Sequence, residues 1–303
     1  MTNAPHTQWT LGILGGSGLY DLPGLENPEW VSISTPWGAP SDDILFAEIE
    51  GVRLRFLPRH GRGHALSPSD VNYRANIDAL KRAGCTDVLS ISAVGSLQAD
   101  YVPGDFVMVD QMIDRTFARE KSFFGKGCVA HVSVADPICP RLSALAADAA
   151  DQAGANVHRP TEDKSLTYLA MEGPQFSTKA ESHMYRQWGC DVIGMTNMPE
   201  AKLAREAELP YATMAMVTDF DCWHAGHGNV DVASVIAMMQ KNSAMAQKTV
   251  LNLIKTLQDR PRSACASGIE TNLDVAIITP QEARDPKRMA MLDAVAKRYL
   301  AQS

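Results

Sequence analysis

The sequence predicts an α/β fold, one domain built on a central mixed, twisted β-sheet flanked by helices. Three observations carry that expectation. Apolar stretches of strand length alternate with helical patterns from end to end. One early pair of stretches reads as a hairpin, which makes the sheet mixed, while the run Asp87–Val94 reads as a strand buried on both faces. The chain has 303 residues, 45% of them apolar and 21% charged, which is ample for a sizeable core and excludes wholesale disorder. Within residues 1–303 we expect a short polar tail over 1–10 and a linker with a C-terminal helix over 259–303.

The elements follow in order. Leu11–Leu14 is a strand broken by Gly15-Gly16-Ser17-Gly18. Ile44–Ile49 and Val52–Leu57 pair across Glu50-Gly51, with Val52, Leu54 and Phe56 alternating against Arg53 and Arg55. Ser69–Ala83 is helical, with Ser67 or Ser69 as cap and Gly84 as stop. Strands are expected at Asp87–Val94 and Asp105–Asp110, then an irregular excursion from Arg115 to Pro140 rich in Gly, Phe and Lys. Arg141–Gly154 is an alanine-rich helix. Next come strand Leu166–Met171, helix Lys179–Trp188, strand Asp191–Met195, helix Pro199–Ala207, strand Tyr211–Val217 and the long helix Val232–Gln258. A polar linker, Asp259–Thr271, leads to a last strand-like piece and a helix near Gln281–Tyr299.

Charge and cysteine usage narrow the function. Twenty-eight basic against 35 acidic side chains give a net charge of −7. That balance argues against nucleic acid or an anionic membrane as partner. No apolar run spans a bilayer and Met1–Thr10 has no signal-peptide pattern. Six cysteines without CxxC spacing read as reduced thiols, so a cytoplasmic location is expected.

Ligands in open α/β sheets sit beyond the carboxyl ends of strands. Six predicted strand ends here run into small, polar or charged residues. Gly15-Gly16-Ser17-Gly18 either lets backbone approach an anion or is a tight turn; it has neither the GxGxxG spacing nor a Walker lysine. Arg59-His60 offers a planar guanidinium fork and an imidazole as second donor, or is a solvated strand end. Ser92 and Thr196 add hydroxyls to the same oxyanion, unless Thr196 caps the helix at Pro199. Asp219 and Asp221 stand two apart, so a pleat would point both to one face as acid and acceptor; the alternative is an Asx turn with a capping aspartate. Cys222, His224 and His227 invite a zinc reading, but no second cluster has structural-site spacing, so no metal is expected. Val232, Val235, Ile236 and Met239 form a helical stripe that would ordinarily be core.

At these residues the chain becomes recognisable. GGSGLYDL, LPRHGRGHALSPSDVNYRANIDALK, SAVGSL, PGDFVMVDQMIDRT, MEGPQFSTKAES, MTNMPE and VTDFDCW together resemble the methylthioadenosine phosphorylases of the purine nucleoside phosphorylase superfamily. The resemblance runs from about Leu11 to Gln258 and fades past Asp259. It implies cleavage of a nucleoside by inorganic phosphate, a co-substrate rather than a cofactor. By motif, Ser17, Arg59, His60, Ser92, Ala93 and Thr196 are implied as the phosphate site. Met195 resembles a methionine packed on the ribose, and Phe176 and Ser177 flank the base. Gly194 stands where some relatives carry asparagine. His131 resembles a residue lent to the neighbouring subunit's site, which implies a homotrimer.

Physical chemistry refines the substrate. A purine leaves readily only when protonated, so Asp219 is the expected acid, while Arg59 and the hydroxyls hold phosphate beneath the anomeric carbon. A 6-amino group is a donor and wants a carboxylate, so Asp219 and Asp221 favour adenine over a 6-oxopurine. The resemblance puts Val232 where 6-oxopurine relatives carry a histidine for the 5′-hydroxyl; a valine there, with Val235 and Ile236 beside it, suits a methylthio group that brings no hydrogen bond to satisfy, the alternative being plain core. A methylthioinosine or other 6-oxopurine phosphorylase is the alternative; a water-using nucleosidase, a non-catalytic purine binder and a dehydrogenase fit less well.

Overall fold

The computed structural model describes residues 8–16, 19–224 and 232–302. The strands are β1 (Thr10–Gly15), β2 (Glu26–Val31), β3 (Ile44–Ile49), β4 (Val52–Pro58), β5 (Asp87–Ser96), β6 (Phe106–Met108), β7 (Gln111–Asp114), β8 (Val157–His158), β9 (Thr167–Ala170), β10 (Val192–Gly194) and β11 (Tyr211–Asp219). The helices are α1 (Tyr73–Arg82), α2 (Pro140–Ala153), α3 (Lys179–Gln187), α4 (Asn197–Glu206), α5 (Val232–Gln258), α6 (Pro286–Met291) and α7 (Lys297–Leu300).

β1, with every residue buried, lies between β4 and β5, parallel to both. β5 is the hinge of the architecture. Its first half pairs with β1, its middle runs parallel to β11, and its last residues pair antiparallel with β10. The single mixed sheet therefore forks along β5. One branch continues through β10, β9 and β7, the other through β11, β6 and β8. The expected hairpin forms as β3–β4, with Ile49 opposite Val52 and positive φ at Glu50 and Gly51, as a two-residue turn requires.

The fork explains where the sequence pattern misled. Of the strand expected over Asp105–Asp110 only Phe106–Met108 forms, as β6; the chain then leaves that branch for β7 on the other, a strand the pattern did not show, and Asp110 turns it by accepting from the Leu166 N–H at 2.7 Å. β5 runs on through Gly95 and Ser96, two residues past its expected end at Val94. The α1 cap is Asn72, accepting from Ala75 N, and Ser69 is turned instead to Glu172. Past α5 the expected strand is a 3₁₀ turn over Ile269–Asp274 with one bridge from Ile277 to Ala130. The expected last helix is broken into a turn at Gln281–Ala283, then α6 and α7, since Asp285 caps a new helix at Pro286. Leu292, Val295 and Ala296 between them are buried, and their packing outweighs helical continuity.

Ion pairs fasten this C-terminal segment to the sheet. Arg262 Nε donates to Asp87 Oδ2 at 2.5 Å, Arg141 reaches the same carboxylate, and Arg298 grips Glu208 at 2.6 Å. Asp87 is the first residue of β5, and its side chain is fully buried.

Candidate active site

The carboxyl end of β4 delivers Arg59 into the interior. Its guanidinium is almost fully buried and paired with Glu200, Nε to Oε1 at 2.5 Å and Nη2 to Oε2 at 3.2 Å. Nη2 also donates to Leu14 O at 3.0 Å and Ser90 Oγ at 2.6 Å, and Nη1 to Ile91 O at 3.0 Å. Tyr211 donates to Glu200 Oε2 at 2.9 Å, which completes the carboxylate's shell. A solvated strand end is thereby excluded. The planar fork is spent mostly on protein, and among the described residues one Nη1 hydrogen stays uncommitted. The Arg59 N–H donates to Gly15 O at 2.9 Å, so β4 and the glycine loop converge. Ser17 itself lies outside the described residues.

His60 departs from the role expected of it. Its Nδ1 meets Leu66 O at 2.9 Å, a contact only an N–H can make. Burial first, then the charges of Arg59 and His64, push its pKa down to about 4. The ring is therefore neutral near pH 7, with Nε2 an acceptor rather than a second donor, and it stacks on His64 at 4.3 Å.

Ser92 on β5 and Thr196 at the start of α4 meet hydroxyl to hydroxyl at 3.3 Å, both nearly buried. Ser92 Oγ also lies 3.4 Å from the carbonyl of Ala93. Thr196 occupies the N-cap position, yet its side chain makes no cap hydrogen bond. The capping alternative therefore fails, and the hydroxyl faces Ser92. Behind it, Gly194 is packed so closely on Tyr168 that a Cβ would overlap the phenol oxygen, which is why no asparagine stands there.

Three residues beyond Ser92, Gly95 sits opposite Asp219 at the end of β11. Asp219 Oδ2 accepts from Thr218 Oγ1 at 2.7 Å and Oδ1 from Asp221 N at 2.8 Å. The pleat expected to align the two aspartates is absent: β11 ends at Asp219, and Asp221 adopts φ 50 in a turn closed by Asp219 Oδ1. The Asx turn and the expected acid pair thus fall on the same two residues. Burial raises both carboxyls above the ordinary range, with the Asp219 charge adding to it at Asp221. Asp221 Oδ2 is buried with no hydrogen-bond partner among the described residues. Cys222 Sγ donates to Ser177 O at 3.2 Å, and Trp223 Nε1 to Ser96 O at 2.8 Å, which ties the segment after Asp221 to β5.

The remaining candidates divide. Ser177 is buried and Phe176 exposed just before α3. Met195 lays its sulfur over Gly173. Val232 and Ile236 are 61% and 49% exposed and Val235 is half-buried, so this stripe is not the plain core that its spacing suggests. His131 belongs to an exposed segment bonded to Ala276 O at 2.9 Å. His224 stacks on Phe220, and His227 lies outside the described residues. Glu200, Tyr211, Tyr168, Arg119 and Glu172 went unassigned. Glu172 and Glu200 had a signal, since each is an acid inside one of the motifs quoted above, where a carboxylate needs a buried partner.

The sequence model of the phosphorylase superfamily matches residues 10–255. The chain belongs to the phosphorylase superfamily. Among phosphorylase-superfamily relatives, an S-methyl-5′-thioadenosine phosphorylase of Cereibacter sphaeroides is 57% identical over 96% of this chain and 98% of its own. One from Rhodospirillum rubrum is 56% identical over 97% and 98%. The fold agrees with a methylthioadenosine phosphorylase crystal structure from an antarctic soil metagenomic library, with TM-score 0.87, 47% identity and coverage of 95% of this chain and 99% of that one. A Schistosoma mansoni methylthioadenosine phosphorylase in complex with adenine matches at TM-score 0.79 and 35% identity, over 91% and 99%.

Proposed function

We propose that the chain cleaves 5′-methylthioadenosine with inorganic phosphate, giving adenine and 5-methylthioribose 1-phosphate. Relatives of that name at 57% and 56% identity, matched over nearly their whole length, support the reading. The observation that carries it on this chain's own residues is the two-ended arrangement along β5. Ser92, facing Thr196 and next to Arg59's partner Ile91, marks one end, and Gly95, against Asp219, marks the other.

Phosphate held by Ser17, Arg59, the Ser92 and Thr196 hydroxyls and Ala93 attacks the anomeric carbon as the bond to the purine breaks. The transition state is oxocarbenium-like, so positioning and charge neutralisation are the protein's contributions. His60 accepts through Nε2, which suits a protonated phosphate oxygen. The electron pair of the broken bond passes into the purine, whose imidazole-side nitrogen takes the proton of Asp219. Burial favours that proton. Asp221 Oδ2, buried and unpaired among the described residues, is the acceptor for a 6-amino donor. A 6-oxo group there would set two acceptors together at a cost of about 1–3 kcal/mol. Met195 packs on the ribose, Phe176 and Ser177 flank the base, and Val232, Val235 and Ile236 receive the methylthio group. No cofactor takes part. The exposed apolar side chains of Val129, Val275 and Ile278 beside His131 fit a homotrimer in which His131 reaches a neighbour's site. Six free thiols suit a cytoplasmic setting.

The test is adenine release from 5′-methylthioadenosine with and without phosphate, beside methylthioinosine. Phosphate-dependent release with little turnover of the inosine compound is expected. Asp219→Asn should lower kcat by about a hundredfold and lose the fall in rate that wild type shows as pH rises past the Asp219 pKa. Release without phosphate makes the chain a hydrolase, and an unaltered pH profile in the variant removes Asp219 as the acid.

A further inference from the structure

The carbonyls on either side of Thr196 share one donor. Arg119 lies in the irregular stretch between β7 and α2, with its side chain 1% exposed. Its Nη1 donates to Met195 O at 2.5 Å and to Met198 O at 2.7 Å, so one nitrogen brackets Thr196 and Asn197. The same nitrogen reaches the Tyr73 hydroxyl at 3.0 Å, which donates onward to Pro68 O at 2.6 Å. Nη2 donates to Glu172 O at 2.7 Å, and Nε to Glu172 Oε1 at 3.3 Å.

Glu172 is itself fixed from two other segments. Its Oε2 accepts from Phe117 N at 2.6 Å and Ala118 N at 3.3 Å, and Ser69 donates to Oε1. Burial pushes this carboxyl up, but the donors from Ser69, Phe117 and Ala118 outweigh it and hold the pKa below the ordinary value. Glu172 is therefore a carboxylate at neutral pH, and Arg119 is oriented by charge as well as by geometry.

The Thr196 segment needs such a device. Its hydroxyl caps nothing, and α4 is interrupted two residues on, where Met198 adopts φ −117 and ψ 129. The helix alone does not set the direction in which Thr196 points. A planar fork does, and an ammonium of one nitrogen cannot serve Met195, Met198 and Glu172 together.

We propose that Arg119, held by Glu172, is the positioning residue that fixes segment 195–198 and aims the Thr196 hydroxyl at the phosphate. The inference rests on the assignment of Ser92 and Thr196 to phosphate. Arg119 acts through Thr196 and touches no substrate.

Kinetics with phosphate varied at saturating 5′-methylthioadenosine, and the converse, test this on wild type, Arg119→Lys, Thr196→Val and the double variant. Thr196→Val raises the phosphate KM. Arg119→Lys raises it about tenfold while the nucleoside KM moves by less than about threefold, and in the Thr196→Val background Arg119→Lys adds nothing. Multiplying effects, or equal losses for both substrates, overturn the positioning role and leave the phosphate assignment standing. An unchanged phosphate KM in Thr196→Val overturns that assignment and the inference with it. If Arg119→Lys does not fold, Glu172→Gln enters the same cycle and should show the same pattern at smaller size, and its absence is equally fatal. Inorganic phosphate should raise the melting temperature of wild type more than that of either variant.

Discussion

Gly95 has no side chain because the Asp219 carboxylate takes its space. A Cβ there would lie 2.9 Å from Asp219 Oδ1 and 3.1 Å from Ile193 Cγ2, so one of them must move. Ile193 is packed in a small apolar cluster with Leu97, Leu169, Tyr185 and Cys190, whereas Asp219 is held by two hydrogen bonds. Gly95→Ala therefore displaces the Asp219 carboxyl, the acid of the proposed mechanism. We expect kcat to fall about tenfold or more while the urea midpoint drops only slightly. A variant with wild-type kcat shows that the carboxylate can be moved without loss, which no proton donor held in place tolerates. At this scale the carboxylate at a strand end was legible and its support was not. Asp219 stood out as an acid after an apolar run, but nothing in Ser-Ala-Val-Gly says that its glycine must admit a carboxylate from another strand. Arg59 shows the same limit. Its place at a strand end was readable, but its pairing with Glu200, 141 residues away, was not.

Among the elements, α5 bears most directly on specificity. From Asn242 onward it buries Ala246, Val250, Leu253 and Leu257, yet its first turn leaves Val232 and Ile236 exposed. Apolar residues that the core does not need are free to meet a ligand. Val232→His supplies a hydrogen-bond partner for a 5′-hydroxyl and removes apolar surface, so the ratio of kcat/KM for adenosine to that for 5′-methylthioadenosine should rise about tenfold. A constant ratio removes the first turn of α5 from the pocket. Elements with one continuous environment were legible: β1, β4, β11, α2 and α5 fall within a residue or two of where the pattern put them. Those whose neighbours change part-way were not. The apolar run ends at Val109 with β6, and β7, Gln111-Met112-Ile113-Asp114, is half-buried along its length with two apolar residues, too few to mark a strand beyond the crossing. β2 (Glu26–Val31), largely exposed on the edge, has only Trp30 and Val31 as apolar residues and no alternation to mark it as a strand.

Across the whole molecule, the half-buried His60 and the buried Glu206 set opposed responses to pH. His60 is held at about 4 against an ordinary 6.5, so below pH 6.5 the unfolded chain gains a proton that the folded one refuses, and stability falls as pH falls towards 4. Glu206 is pushed up to about 7 from 4.5 by burial, which outweighs its bonds from Phe123 N and Ser122. Through that window the unfolded chain releases a proton that the folded one keeps, so stability falls as pH rises. Each effect is worth up to about 3 kcal/mol, and over the shared range they oppose one another. His60→Gln should therefore lose stability, relative to wild type, as pH rises from about 4.5 to 6.5, and Glu206→Gln should gain it. Urea midpoints across that range check both, and curves parallel to wild type rule the assignment out.

The carboxylate of Asp87 has a further consequence for how the protein is made. It opens the strand that carries both ends of the site, and one of its two arginine partners, Arg262, lies 175 residues later. A ribosome that has finished every residue of the site has still not delivered that guanidinium. Until it emerges, Arg141 alone among the described residues pairs with Asp87, and closing β5 over that carboxylate with one partner missing would cost up to several kcal/mol. Nascent chains cut short before Arg262 should therefore be less stable and cleaved faster by proteases that act on unfolded protein, although every residue of the site is already made.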